Sequence, residues 1–186
     1  MKDQSPEDQI KEAVKILKKG GIVIFPTDTV YGIGCRFDDK DAISRLYKIK
    51  KTPESQPFPI LVSDLSQVEK LALINKTREE LIKKYWPGAL TIILQSKKGK
   101  EKIGFRMPDS SLVRSLIDGV GEPIIGTSAN FHGFQAPKSY EELDSAFINL
   151  ADFVLKGECK LGKESTVVDA TGDVPNILRQ GAIKIQ

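Results

Sequence analysis

Apolar positions follow two periods along this chain, and each change of period marks an element. Ile10, Ala13, Val14 and Leu17 recur at helical spacing. Ser5 supplies a capping hydroxyl, Pro6 suits a first turn, Glu7 and Asp8 lie near the positive end of the helix dipole, and Gly20-Gly21 ends the helix. Residues 22–25 are continuously apolar and predict a buried strand, closed by Pro26, which has no N–H for a ladder. Residues 41–51 read as a second helix with Ile43, Leu46, Tyr47 and Ile49 partly inward. Pro53, Pro57 and Pro59 enforce an extended run into a short strand at 58–62. Asp64 and Thr77 are expected to cap helices reaching Leu73 and Tyr85, before a turn at Trp86-Pro87-Gly88. Strands are expected at 89–94, 104–107, 123–126, 153–155, 166–169 and 176–178, and helices at 110–117 and 140–147. This mixture, without a repeat or a clean boundary, predicts one α/β domain around a twisted mixed sheet.

Polar chemistry gathers where strands end. After Pro26 comes Thr27-Asp28-Thr29-Val30-Tyr31-Gly32-Ile33-Gly34, read as a hydroxyl-rich loop whose glycines admit close backbone approach. The carboxyl end of a strand is where open α/β sheets bind ligands. A plain polar strand-to-helix connection is the alternative for this loop taken alone. Ile124-Ile125 likewise runs into Gly126-Thr127-Ser128-Ala129-Asn130, and Lys163-Glu164-Ser165 precedes the strand at 166–169. With Arg179 set between an apolar run and Gly181, the segments together predict a composite anion site.

Composition narrows the class. The 186 residues are 40% hydrophobic and 28% charged, ordinary for a soluble globular domain with a sizeable core. No apolar run approaches the roughly 20 residues that span a bilayer. Residues 1–11 are charged and lack a signal-peptide core, so a cytoplasmic protein is expected, with no membrane association. A net charge of +3 is too mild to indicate nucleic acid by itself. Lysines cluster at 48–51 and 97–102; the second cluster reads as a solvated face, whereas the first adjoins a motif and is better placed to meet phosphate. Cys35 and Cys159 have no metal-ligand spacing, and Cys35 is expected to be a small buried hydrophobe. The single histidine, His132, falls in a loop, leaving no support for a Ser-His-Asp triad.

The blocks PTDTVYGIG, Lys50-Lys51-Thr52-Pro53, FRMPD, GTSAN, STVVD and ILRQGAI stand in the order seen in the YrdC-like family, the threonylcarbamoyl-AMP synthases, and the chain resembles that family over roughly residues 8–185. The resemblance implies a YrdC-like domain over residues 1–186, with a mixed, partly parallel sheet flanked by helices and an open cavity over the sheet. It implies that L-threonine, bicarbonate and ATP with Mg2+ give threonylcarbamoyl-AMP and pyrophosphate. A downstream transferase machinery would pass the group to the tRNA adenosine 3′ of the anticodon, and a tRNA contact by this chain is a further expectation.

By the same resemblance Lys50, Ser128 and Asn130 are expected to be catalytic. Lys50, Ser128, Asn130 and Arg179 would meet the nucleotide, together with Thr52, Gln56 and Ala136. Thr29, Arg106, Gly126 and Ser165 would hold threonine, Arg106 pairing with its carboxylate. No metal ligands are expected among the side chains. Asp28 is expected to cap backbone amides rather than act as a base.

The family's K-x-R motif reads Lys50-Lys51-Thr52 here, so a threonine stands where an arginine is expected. A charged hydrogen bond contributes about 1.5–3 kcal/mol, and Thr52 cannot supply it. Lys48 or Lys51 would have to substitute, or the chain is a divergent paralogue with changed activity. Two further readings are a carbamoyl-adenylate activity like that of hydrogenase maturation, known within larger multidomain chains, and an RNA-binding module without catalysis. The latter would need no ATP and would show steep salt dependence; no arginine-rich or aromatic stacking signature favours it. Longer relatives carry a second domain that covers the site. In this chain, which stops at Gln186, a lid would come from the loops at 53–59 or 131–139.

Overall fold

The computed structural model describes residues 5–185; Met1–Gln4 of the expected domain and Gln186 lie outside the described residues. Helix α1 (Pro6–Lys18) begins as the sequence predicts, with Ser5 Oγ accepting from the Asp8 N–H and Ala13 and Leu17 buried. Strand β1 (Val23–Pro26) follows.

The first departure comes next. Tyr31–Arg36, its part through Gly34 expected in a ligand loop, forms strand β2 and turns back antiparallel on β1, with Phe25 opposite Gly32 and Val23 opposite Gly34. Only the residues between Pro26 and Tyr31 form the connection. The cause lies in the side-chain pattern: Tyr31, Ile33 and Cys35 alternate on one face at strand period, and the intervening glycines conceal the alternation. Those glycines are required by close packing. A Cβ on Gly34 would lie 1.9 Å from the Ile125 carbonyl oxygen of a neighbouring strand, whereas one on Gly32 would lie 3.0 Å from the Phe25 ring. Gly34→Ala is therefore expected to lower stability by about 3 kcal/mol, and Gly32→Ala by about half that; urea unfolding of both variants checks the difference.

Helix α2 (Lys40–Lys50) is capped by Asp39 and ends where Lys51 turns left-handed, with φ 53°. After β3 (Ile60–Leu61) come α3 (Leu65–Leu71), capped by Asp64 as expected, and α4 (Lys76–Tyr85). The cap of α4 is Asn75, accepting from the Arg78 N–H, rather than Thr77; asparagine is the stronger capping residue and lies earlier. Strands β4 (Leu90–Gln95) and β5 (Lys102–Arg106), helix α5 (Ser111–Val120) and strand β6 (Ile124–Ser128) follow. The helix expected at 140–147 shrinks to the single turn α6 (Ser145–Ile148). Asp144 interrupts it, using its carboxylate to cap the N–H groups of Ala146 and Phe147. Strands β7 (Phe153–Val154), β8 (Thr166–Asp169) and β9 (Asn176–Arg179) complete the fold.

The strands form one sheet in the order β7-β1-β2-β6-β3-β5-β4-β8-β9. The pairs β1–β7, β3–β5 and β4–β8 are parallel and the others antiparallel, so the sheet is mixed and partly parallel, as expected. Its two faces are treated differently. Leu90, Ile92 and Leu94 of β4, with Ile24, Ile33 and Phe105, pack in one core with residues of α2, α3 and α4. On the other face Val23, Phe25, Leu61 and Ile124 pack in a second core with residues of α1 and α5. Toward β4 and β8, Thr91 and Ile93 alternate with the first core's residues and face a cavity instead.

Candidate functional site

The cavity has a volume of about 430 Å3. Its floor and walls come from β1, β2, β6, β3, β5, β4, β8 and β9, so it lies across the sheet. Thr29, Arg106, Gly126, Ser128, Ser165 and Arg179 all line it, so residues expected from separate sequence blocks meet in one space.

Part of the lining is a knot of hydroxyls. Thr27 Oγ1 accepts from the N–H groups of Thr29, at 3.0 Å, and Val30, and donates to the Val30 carbonyl at 2.8 Å, closing a hydroxyl turn. Thr29 Oγ1 lies 2.9 Å from Thr27 Oγ1 and accepts from Arg106 Nη1 at 2.8 Å. Arg106 reaches the knot because it is the last residue of β5, on the same face as Gly104 and Lys102. Its Nε donates to the Gly88 carbonyl at 3.1 Å and its Nη2 to Asp28 Oδ1 at 2.5 Å. Arg106 is 7% exposed. Burial pulls its guanidinium below the ordinary range, and Asp28 opposes that pull. Three of five guanidinium N–H groups are thus engaged, leaving one on each Nη for a ligand. Asp28 is not the amide cap expected of it. It is the buried counter-ion of Arg106, a partner 78 residues away in sequence.

Arg179, near enough for its charge to act on Arg106, donates from Nε to the Ser165 carbonyl at 3.1 Å, while its Nη1 meets Glu164 Oε1 at 3.2 Å. Arg179 sits on the outermost strand β9 and is exposed, so its charge faces both cavity and solvent. Ser165 Oγ lies 2.8 Å from Thr91 Oγ1. The rest of the lining includes the apolar side chains of Phe25, Leu61, Ile93, Val167 and Leu178.

Lys50 takes a place the sequence did not suggest. It is 4% exposed, and its ammonium donates to the backbone carbonyls of Ser128 and, at 2.7 Å, Asn130, instead of facing open space. Burial holds its pKa down to about 8, with Glu164 opposing the shift. The end of α2 is thereby tied to the end of β6, and the His132 N–H donating to the Lys50 carbonyl adds a second tie. Asn130, like Lys50, is not among the residues that line the cavity; its Nδ2 donates to the carbonyls of Phe131 and Phe134, and its Oδ1 is buried without a hydrogen-bond partner. Thr52 is half-buried and its Oγ1 is likewise unpartnered. Gln56 is exposed, and Ala136 is half-buried. Lys51 stacks over the Phe131 ring at 5.0 Å. Thr52, Gln56 and Ala136 are not brought to the cavity wall.

Sequence reasoning missed Thr91, Lys102 and Asp169, which also line the cavity. Lys102, expected on a solvated face, bonds Asp169 Oδ2 at 2.8 Å across β5 and β8, and this holds the Asp169 carboxyl down to about 2 against the effect of its burial. Thr91 carried a signal, a lone hydroxyl within the apolar run of β4. Cys35 is fully buried, as expected, with its thiol pushed up to about 12 by burial, and His132 is an exposed loop residue.

A family model described as Sua5_yciO_yrdC, Telomere recombination, matches residues 15–181. The chain is 36% identical to a putative threonylcarbamoyl-AMP synthase of Methanocaldococcus jannaschii, over 97% of this chain and 91% of that one. It is 30% identical to an uncharacterized Escherichia coli protein, YciO, over 96% and 92% of the two chains. Among solved structures it superimposes on P. abyssi Sua5 complexed with L-threonine, with a TM-score of 0.87 and 33% identity over 92% of this chain; it spans 54% of that longer one. With five of its six motif blocks contributing to one cavity and relatives matching along nearly its whole length, the chain belongs to the Sua5/YciO/YrdC family.

Proposed function

We propose that this chain is an L-threonylcarbamoyladenylate synthase, a nucleotidyltransferase whose product serves the threonylcarbamoyladenosine modification of tRNA next to the anticodon. The observation that carries the reading is the cavity itself. It is lined by a buried, counter-ion-held Arg106 with two N–H groups to spare and by the exposed Arg179, close enough for its charge to act on Arg106. Arg106 suits the carboxylate of an amino acid, received in a fork with Thr29, Gly126 and Ser165 nearby. Arg179 suits nucleotide phosphate. Ser128 offers a further hydroxyl on the lining, and Lys50 Nζ and the Asn130 N–H hold its carbonyl.

In the reaction proposed, the threonine amine and bicarbonate give an N-carboxylate with loss of water. Its oxygen attacks the α-phosphorus of ATP, forming the mixed anhydride and expelling pyrophosphate. The protein's part is to bring two anions and an amine together and to stabilise charge at the phosphorus. Among the described residues no group of three or more His, Cys, Asp or Glu side chains is arranged to hold a metal ion. Magnesium would enter on the triphosphate oxygens and water, with Glu164 the carboxylate available beside Arg179; there it would neutralise phosphate charge. Residues 1–186 then act as one YrdC-like domain. Among the described residues no helix is long and apolar enough to cross a membrane. A cytoplasmic place, with tRNA and the downstream transferase as partners, follows from the proposed product.

Pyrophosphate release by the purified protein, with ATP, magnesium, bicarbonate and L-threonine each omitted in turn, is the test. Release is expected only with the full set, with threonylcarbamoyl-AMP detected by mass spectrometry. A second reading, a divergent paralogue, is favoured by Thr52, which stands unpartnered where the family's arginine is expected. ATP binding without threonine-dependent turnover would favour it and sink the synthase reading, and Thr52→Arg would then be the variant to assay next.

A further inference from the structure

Asp28 is an acid placed where an acid opposes the ligand. A carboxylate docked on Arg106 would share that guanidinium with Asp28, already at 2.5 Å from Nη2. The two side chains are 3% and 8% exposed, so water screens little of the repulsion. Gly88 and Thr29 already fix Nε and Nη1, so what Asp28 adds is the charge that opposes the cost of burying the guanidinium. Asp28 also uses only one oxygen on the pair: Oδ2 is buried without a hydrogen-bond partner. A carboxylate that compensates Arg106 and keeps one buried oxygen unpartnered leaves its charge to act on whatever the guanidinium receives.

The effect follows from the sum of the two charges. Arg106 alone would be a buried cation, attractive to any anion that fits. With Asp28 the pair is neutral overall but strongly polarised. A simple carboxylate gains from Arg106 and loses to Asp28. An α-amino acid carries an ammonium one carbon from its carboxylate, so a carboxylate docked on Arg106 brings that ammonium into the poorly screened field of Asp28, which offsets the repulsion. We infer that Asp28 sets the cavity's preference for zwitterionic α-amino acids over simple carboxylates of the same shape. Asp28 does not line the cavity; it acts through Arg106 and through space. The inference rests on reading the cavity as an amino-acid site.

Calorimetric titration of the full chain separates the two ideas. The probes are L-threonine; 3-hydroxybutanoate, the same skeleton without the α-amino group; and L-threoninol, which keeps the ammonium and lacks the carboxylate. Wild type is expected to bind threonine at least about tenfold more tightly than either singly charged probe. In Asp28→Asn the ratio of threonine to 3-hydroxybutanoate affinity is expected to fall about fivefold or more, chiefly because 3-hydroxybutanoate binds better. A purely structural Asp28 would weaken both ligands together and leave the ratio alone. Equal binding of threonine and 3-hydroxybutanoate by wild type overturns the inference even if the variant fails to fold. An unchanged ratio in a folded variant also overturns it, while leaving the amino-acid reading intact. If wild type binds none of the three probes, the amino-acid reading falls and takes the inference with it.

Discussion

Arg106→Met is expected to abolish threonine binding and to lower stability by about 3–5 kcal/mol, because it strands the buried Asp28 carboxylate without a counter-ion. The two losses have different origins and come apart in a double variant. Adding Asp28→Asn to Arg106→Met removes the stranded charge, so most of the stability should return. Binding should not return, because the two free N–H groups are still gone. The Thr29 hydroxyl also loses its donor in both variants, at about 1 kcal/mol, so recovery should stop short of wild type. Urea unfolding and calorimetry on the wild type, the single and the double variant give the full comparison. A double variant as unstable as Arg106→Met would mean that the pair is not the source of the loss, and threonine bound by Arg106→Met would remove Arg106 from the site.

Lys50→Met should cost roughly 30-fold in nucleotide affinity, and the wild type should show the origin of that loss in its pH dependence. The ammonium satisfies the carbonyls of Ser128 and Asn130, so its removal frees the backbone that presents Ser128 to the cavity. Burial lowers the Lys50 pKa from 10.5 to about 8. Between those values the unfolded chain holds a proton there that the folded chain has released. Stability attributable to Lys50 must therefore rise with pH from about 8 to 10.5 and be flat below. Nucleotide affinity should move the other way, falling as pH passes about 8 and the tie to the two carbonyls weakens. The quantity to read is the difference between wild type and Lys50→Met, measured for unfolding and for ATP binding from pH 7 to 10, because titration common to both proteins cancels in it. Both trends should vanish in the variant. Parallel trends in stability and affinity would contradict the role assigned to Lys50.

Local signals carried most of the elements. Ser5, Asp39, Asp64 and Ser110 each cap a helix through their own side chains, chemistry that needs no distant partner. Strand β2 was obscured because two of its residues are glycines, whose close fit against Phe25 and Ile125 exists only once the strands are side by side. The helix expected at 140–147 failed for the opposite reason: a local competitor, the Asp144 cap, outweighed helical periodicity. In the site, the motif blocks identified residues around both arginines. The pairing of Arg106 with Asp28 and of Lys102 with Asp169 could not be read, since each joins residues far apart whose meeting depends on strand order. The motif pointed to Lys50 itself, but its partners are backbone carbonyls, which a sequence does not display.

The strand order has a kinetic side. The surroundings of Arg106 come from residues 27–30 and β5, those of Arg179 from Ser165, β8 and β9, and β8 enters the sheet beside β4 by a parallel pairing that spans more than seventy residues of chain. The β2–β6 pairing, which sets Gly34 opposite Gly126, closes a still longer loop. In both, the entropy of closure comes before the reward. Neither arginine thus gains its surroundings from local contacts, and during refolding ligand binding would appear only with the assembled sheet.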